Sequence, residues 1–239
     1  MVEPARRLVA VAAELPEGVT PPGTAGRILR AGLVLFSEYG FHGASIRDIA
    51  AEAEINSATL YAHYPSKEYV LAELVRLGHE ELHTRLQRAL VEAGGAPAEQ
   101  LAALIRAHVL VHAQYPLLAV VANSELHALS PERAAPALAL REQARRLLLA
   151  VLRNGVQAGA FRLDDEFLAG AAISAMGLRV ANWFGPDQPY TRDEVADSFA
   201  TFALRLVGAD GPDRPARRKP AEPDRPARRK PAKRANPRR

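Results

Sequence analysis

Between residues 24 and 207 apolar side chains recur every three to four positions, the spacing of one face of a helix, and little of the chain alternates with the period of two that marks a strand. The segment TAGRILRAGLVLFSEYG places Ile28, Gly32, Leu35, Phe36 and Tyr39 on one face, with Thr24 as N-cap and Gly40 in the helix-ending position. In SIRDIAAEA, Ser45 is the N-cap, Asp48 is the acid three residues on, and Ile46, Ile49, Ala50 and Ala53 share a face. Asn56 caps a second short helix, SATLYAHY, whose buried aliphatic is Leu60. Pro65 and Ser66 then break the chain and start a long helix from Lys67 to the double glycine at 94–95. Further amphipathic segments cover residues 97–114, 117–129, 131–158 with a bend expected at Pro136, 165–184 and 192–207. The expectation is an all-α protein of about nine helices.

Composition supports that reading and narrows the chemistry. Alanine and leucine are abundant, aromatic residues make up 6%, and the 48% hydrophobic content is enough for a sizeable core. With no cysteine, disulfides, thiolate catalysis and Cys-based zinc sites are excluded together, and a reducing cytoplasm fits. The apolar run near the N-terminus is too short for a signal peptide. The longest apolar run, FLAGAAISAMGLRVANWF, carries Arg179 and falls short of the ~20 clean residues of a membrane span, so it reads as a buried helix.

Charge is unevenly placed. Residues 210–239 hold 12 Lys and Arg against 4 Asp and Glu, whereas residues 1–209 hold 19 against 23. The tail contains a tandem repeat, GPDRPARRKPA followed by EPDRPARRKPA. Frequent proline and the lack of large apolar side chains make it an expected disordered, extended segment. Two readings stay open for it: a solubilising tail, or a non-specific clamp on nucleic acid. Residues 1–21, without periodicity and with LPEGVTPPG, read as a flexible arm.

Two short helices joined by a tight turn and packed through Ile49, Ala50, Ile55 and Leu60 make a helix-turn-helix over residues 45–64. The outer face of its second helix is Ser57, Ala58, Thr59, Tyr61, Ala62 and His63, short and hydrogen-bonding as a reader of base edges should be. Residues 22–82, with RILRAGLVLFSEYG, the hydroxyl-capped IA helix and TLYAHYPSK, resemble the DNA-binding domain of the TetR family of bacterial transcriptional regulators.

That resemblance implies an N-terminal three-helix DNA-binding domain and a helical ligand-binding and dimerisation domain over residues 83–208. It implies a double-stranded, palindromic DNA operator and a homodimer formed through the helices over 165–184 and 192–207, and the segment YPLLAVVANSELHALSPE resembles a branch of the family that senses acyl-CoA thioesters, which implies a small hydrophobic or acyl-CoA-like effector. No cofactor and no membrane are implied. By the same resemblance Thr59, Tyr61 and His63 touch DNA, Lys67 grips a phosphate, Ser45 and Asn56 offer helix N-termini to phosphate, and Arg47, Ser57, Ala58 and Ala62 complete the interface. The long helix from Lys67 is the lever between the two domains. Glu54 departs from the family's usual turn glycine, and a non-glycine residue in a left-handed position costs about 1 kcal/mol.

Polar residues inside the apolar runs of the C-terminal half suggest the lining of a pocket: His108, His112, Asn123, His127, Arg179 and Trp183. Taken one by one, each is more often a satisfied core residue. A rival reading rests on HEELH, where His79 and His83 stand one turn apart with Glu80 as a candidate general base of a metal-dependent hydrolase. A polar face on a linking helix is the plainer account of that motif, and no other catalytic grouping is visible. A further alternative is an architectural DNA binder driven by the tail.

Overall fold

A computed structural model describes residues 12–209; the tandem repeat and residues 1–11 lie outside the described residues. Within that span every regular element is helical, the all-α class the periodicity predicts. Helices α1 (Gly23–Gly43), α2 (Ile46–Glu52) and α3 (Ser57–His63) form an N-terminal head, and α4 (Lys67–Glu92) leads out of it. Helices α5 (Pro97–Gln114) and α6 (Pro116–Ser124), a 3-10 turn (Leu126–Ala128), α7 (Pro131–Gln157), α8 (Glu166–Leu178), α9 (Val180–Trp183) and α10 (Arg192–Leu206) follow.

Local chemistry sets several helix ends. At α2 the Ser45 hydroxyl accepts from the Asp48 amide at 3.2 Å and the Asp48 carboxylate accepts from the Ser45 amide at 2.9 Å, a reciprocal cap worth about 1 kcal/mol. Those bonds hold the Asp48 carboxyl below its ordinary range. Asn56 Oδ1 accepts from the Thr59 amide at 2.8 Å and starts α3. Gly40 adopts φ +69° and interrupts α1, as its helix-ending position predicts, although one more turn follows. Thr24 is not the cap: the helix begins at Gly23 with Pro22 before it.

Three further expectations are corrected. The segment over 117–129 stops at Ser124 and passes into the 3-10 turn, and the one over 165–184 breaks at Arg179 between α8 and α9. Pro136 lies inside α7, and the single helix expected over 131–158 is present on both sides of it. The flexible arm holds a packed portion, because Leu15 is buried and Ala13 and Val19 lie against the same core. An apolar residue that finds a groove is worth more buried than free.

Two hydrophobic cores organise the chain. The first joins α1–α3 to the start of α4, to α6 and to the start of α7; the second joins Leu86 of α4 to α5, the end of α7, α8, α9 and α10. Helix α4 belongs to both, with Val70, Leu71, Leu74, Val75 and Leu77 in the first, and Leu82 packs against each. Helices α5 and α6 are bent by 98° at Tyr115. Among the described residues no single helix is long and apolar enough to cross a membrane.

Candidate functional site

The head presents α3 as a short rod anchored by Leu60, which is fully buried, while Ala58, Tyr61, Ala62 and His63 are exposed on the opposite side. Arg47 and Ser45 on α2 and Asn56 at the turn are exposed as well. Thr59 and Ser57 are half-buried, and the Thr59 hydroxyl donates to Asn56 Oδ1 at 3.0 Å, so part of its hydrogen-bonding capacity serves the cap. This face matches the outer surface expected from sequence. Within α3 it carries no Asp, Glu, Lys or Arg.

Two residues differ in character from their surroundings. Glu54 has φ +54°, so the turn between α2 and α3 does demand a left-handed residue and a carboxylate-bearing one supplies it. Lys67 lies at the start of α4, but its ammonium is turned inward: Nζ donates to the carbonyls of Phe41 at 2.7 Å and Ala44 at 2.8 Å and sits 4.3 Å from the centre of the Phe41 ring. It thereby ties the end of α1 and the start of α2 to α4.

In the C-terminal half a cavity of about 510 Å³ opens among α4, α5, α6, α7 and α8. Leu82, Leu86, Leu104, Ile105, Leu148 and Leu149 form its apolar wall. His79, His108 and Asn123 bring polar atoms to it, and Arg141, Glu142 and Arg145 stand where α7 meets solvent. Burial holds the His79 imidazole down at about 4 and that of His108 well below its ordinary value, so both are neutral near pH 7. His79 Nε2 is enclosed without a hydrogen-bond partner, and Asn123 donates to the Ala119 carbonyl at 2.7 Å. Arg145 pairs with Glu142 through both carboxylate oxygens, at 2.7 and 2.8 Å.

Of the six residues proposed from sequence, then, only His108 and Asn123 line the cavity. His112 lies behind His108, its Nδ1 2.8 Å from the His108 carbonyl, and borders a separate void of about 20 Å³. His127 is exposed on the 3-10 turn. Arg179 is exposed at the break after α8, so it needs no buried counter-charge. Trp183 stacks on Phe199 at 6.3 Å in the second core. The missed lining residues carry a legible signal: His79, Leu82 and Leu86 share one stripe of α4, and Arg141, Arg145 and Leu148 share one of α7.

The HEELH motif is divided by the fold. His79 is buried, Glu80 is paired with Arg76, and Glu81 binds Arg85 at 2.8 Å. Among the described residues no three His, Asp or Glu side chains gather as a metal site. The plainer account is corrected too, since His79 belongs to the cavity wall and not to a solvated face.

The cavity wall continues into the head. Two residues past Asn123, the Glu125 carboxylate accepts from the Phe41 amide at 3.1 Å, beside the Gly40 kink. Glu68 on α4 accepts from the Ser130 amide at 2.9 Å and pairs with Arg133 at 3.2 Å. The Ser130 amide draws the Glu68 carboxyl below its usual range, and the Arg133 guanidinium also covers the Tyr69 ring at 3.5 Å.

Comparison with known proteins agrees with both halves. The profile described as bacterial regulatory proteins, tetR family, matches residues 28–74, and that described as tetracyclin repressor-like, C-terminal domain, matches residues 94–207. The HTH-type transcriptional repressor KstR2 of Rhodococcus jostii is 30% identical over 197 residues, covering 78% of this chain and 96% of the relative. The TetR family regulator PfmR of Thermus thermophilus is 35% identical with a TM-score of 0.69, over 75% of this chain and 97% of that one. AibR, solved with isovaleryl coenzyme A and operator DNA, is 25% identical with a TM-score of 0.67, over 75% and 96%. With a helix-turn-helix head, a second helical core that encloses a cavity, and these relatives, the chain belongs to the TetR family of DNA-binding transcriptional regulators and is not an enzyme.

Proposed function

We propose that this regulator is a homodimeric repressor, released from a palindromic operator when an acyl-CoA or similar lipid-derived effector enters the cavity. The observation that carries the reading is the cavity itself: an apolar chamber with a few polar atoms, edged by Arg141 and by Arg145, which is paired with Glu142, a lining that suits an amphiphilic ligand. AibR, whose solved complex contains an acyl coenzyme A and operator DNA, supports the effector class. In this reading residues 22–82 are the DNA-binding domain and residues 83–208 the ligand-binding and dimerisation domain. Ser45, Arg47, Asn56, Ser57, Ala58, Thr59, Tyr61, Ala62 and His63 form the DNA side, and Lys67, bound to the Phe41 and Ala44 carbonyls, holds that head to α4.

Homodimerisation is supported by Phe167 and Leu168 on α8 and Phe202 and Leu206 on α10, which are 40–63% exposed. Large apolar side chains on a helix surface are protected by association. Two heads on a twofold axis address two half-sites about one DNA turn apart. An effector acts only through unequal affinity for the two conformations. The Glu125–Phe41 and Glu68–Ser130 bonds are where a change in the cavity wall reaches the head.

The test selects binding sites from random duplex DNA with the purified full chain, then titrates the winning duplex complex with isovaleryl-CoA and palmitoyl-CoA. The expected result is a two-fold symmetric consensus and release by at least one thioester, reduced by Ser174→Trp, which fills the cavity. A consensus without symmetry, or complexes indifferent to both thioesters, would refute the reading.

A further inference from the structure

Building on the acyl-CoA reading above, on which this depends, we infer that the cavity holds its effector in one orientation. The polar group lies at the end nearest the head, where His79 reads it, and the acyl chain runs away from the head.

The helices around the cavity fix its direction. Helices α4 and α7 run parallel along it, since Glu68 at the start of α4 meets Ser130 and Arg133 at the start of α7. Seven residues separate His79 from Leu86 on α4 and Arg141 from Leu148 on α7, a rise of about 10 Å on each. Burial first, and then the charges of Arg141 and His112, oppose protonation of His79, which places these groups at one level; the His112 ring meets that of His108 at 4.5 Å. Helix α8 crosses in the same register. A methyl group on Gly177 would lie 2.8 Å from His108, and one on Gly170 would lie 3.0 Å from Leu149.

The lining changes character along that axis. His79, His108, Asn123 and Arg141 stand at the end nearest the head, whereas Leu86, Leu104, Leu148, Leu149 and Phe167 beyond them offer no hydrogen bond. Arg145, one turn further along α7, is already paired with Glu142. A ligand that set its polar group among the leucines would lose hydrogen bonds to water with nothing to replace them.

His79 is 5% exposed, and its Nε2 is enclosed without a hydrogen-bond partner, a cost that no group of the described chain relieves. Its ring divides the cavity from the void of about 20 Å³ behind it, because His79, Leu82 and Asn123 border both. That slack lets the imidazole turn its polar edge into the cavity. A neutral imidazole has one N–H to donate, which matches the carbonyl of a thioester. Arg141, exposed at the same end, faces the anionic carrier beyond that carbonyl. The polar group thereby docks beside the wall that reaches the head: α4 packs on α6 at Gly78 and Ala122, and α6 leads to the Glu125–Phe41 bond. The far end measures chain length.

Calorimetric titration of the full chain with saturated thioesters from butyryl-CoA to palmitoyl-CoA gives affinity against chain length. At the far end Leu149→Trp shifts the optimum to shorter chains and weakens the longest well-bound thioester about 10-fold, while Leu149→Ala shifts it to longer ones. Leu149→Ala needs no extra room and carries the test if the tryptophan variant does not fold. At the near end His79→Phe weakens every chain length by about 3–10-fold without moving the optimum, and His79→Gln, which keeps a donor, stays within about threefold of the parent. An optimum that ignores the Leu149 variants and moves with His79→Phe would reverse the orientation and overturn the inference. Equal losses in the phenylalanine and glutamine variants would reduce His79 to a packing role. A parent that binds none of the thioesters would instead overturn the acyl-CoA reading itself, and this inference with it.

Discussion

Replacing Lys67 by methionine separates two roles that its position allows. The side chain keeps its length and apolar stem but loses the ammonium that donates to the Phe41 and Ala44 carbonyls at 2.7 and 2.8 Å and faces the Phe41 ring. Hydrogen bonds to a charged group contribute about 1.5–3 kcal/mol each when buried, and the cation–π contact about 0.5–1 kcal/mol. Lys67 is half-buried, and water can partly replace the ammonium at both carbonyls. A loss of about 2–3 kcal/mol is therefore expected, equal to a fall in melting temperature of about 5–10 °C for a chain of this size. Calorimetry measures the stability, and fluorescence anisotropy on a 30-base-pair duplex of arbitrary sequence measures the slope of log affinity against log salt at a temperature where both proteins are folded. If Lys67 clasps α1 and α2 to α4, Tm drops and the slope stays within half a unit. A Tm within 1 °C of the parent, with a slope shallower by about 1, would refute this account and return Lys67 to the phosphate-gripping role.

Three other outcomes are expected. His79 is held neutral by burial at about 4, below the ~6.5 of an unfolded histidine, so the unfolded chain takes up the proton first. Stability is then complete above pH 6.5 and lost as pH falls toward 4, by about 3 kcal/mol from this group, and His79→Gln flattens the pH dependence of the urea midpoint. At the left-handed Glu54, Glu54→Val costs about 1 kcal/mol while Glu54→Gly is neutral or slightly stabilising, and equal melting temperatures for the two would contradict the assignment. Gly155→Ala places a methyl group 1.9 Å from the Phe161 ring, which is itself buried, and lowers stability by about 2–3 kcal/mol in chemical denaturation.

How the sequence bears on the site differs between the two halves. On the head, the face of α3 follows from one period: Leu60 points in, so Tyr61 and His63 point out. In the C-terminal half the polar residues were found by their apolar neighbours, and that signal misleads in the run FLAGAAISAMGLRVANWF. Its small side chains make neither face of α8 distinct, so Arg179 reads as buried although it is exposed. Conversely His79 reads as part of a polar face because charged residues flank it, yet burial depends on which side of α4 faces α5 and α6.

By itself the sequence determined what acts over one or two turns: the Ser45–Asp48 and Asn56–Thr59 caps, the glycine break at 40, the two-helix motif and the all-α class. Each is an interaction between residues three or four positions apart, or a property of one backbone, and such terms are written into local order. Tertiary structure decided what requires distant segments to meet. The Phe41–Glu125 bond spans 84 residues and the Glu68–Ser130 bond 62, and the cavity takes its wall from five helices. The direction of the Lys67 ammonium was decided in the same way, by carbonyls 23 and 26 residues earlier. Such contacts form only after chain entropy has been spent on closing long loops, and many pairings satisfy the same hydrophobic pattern. Packing selects among them, which is why the reading head could be drawn from the sequence and the cavity could not.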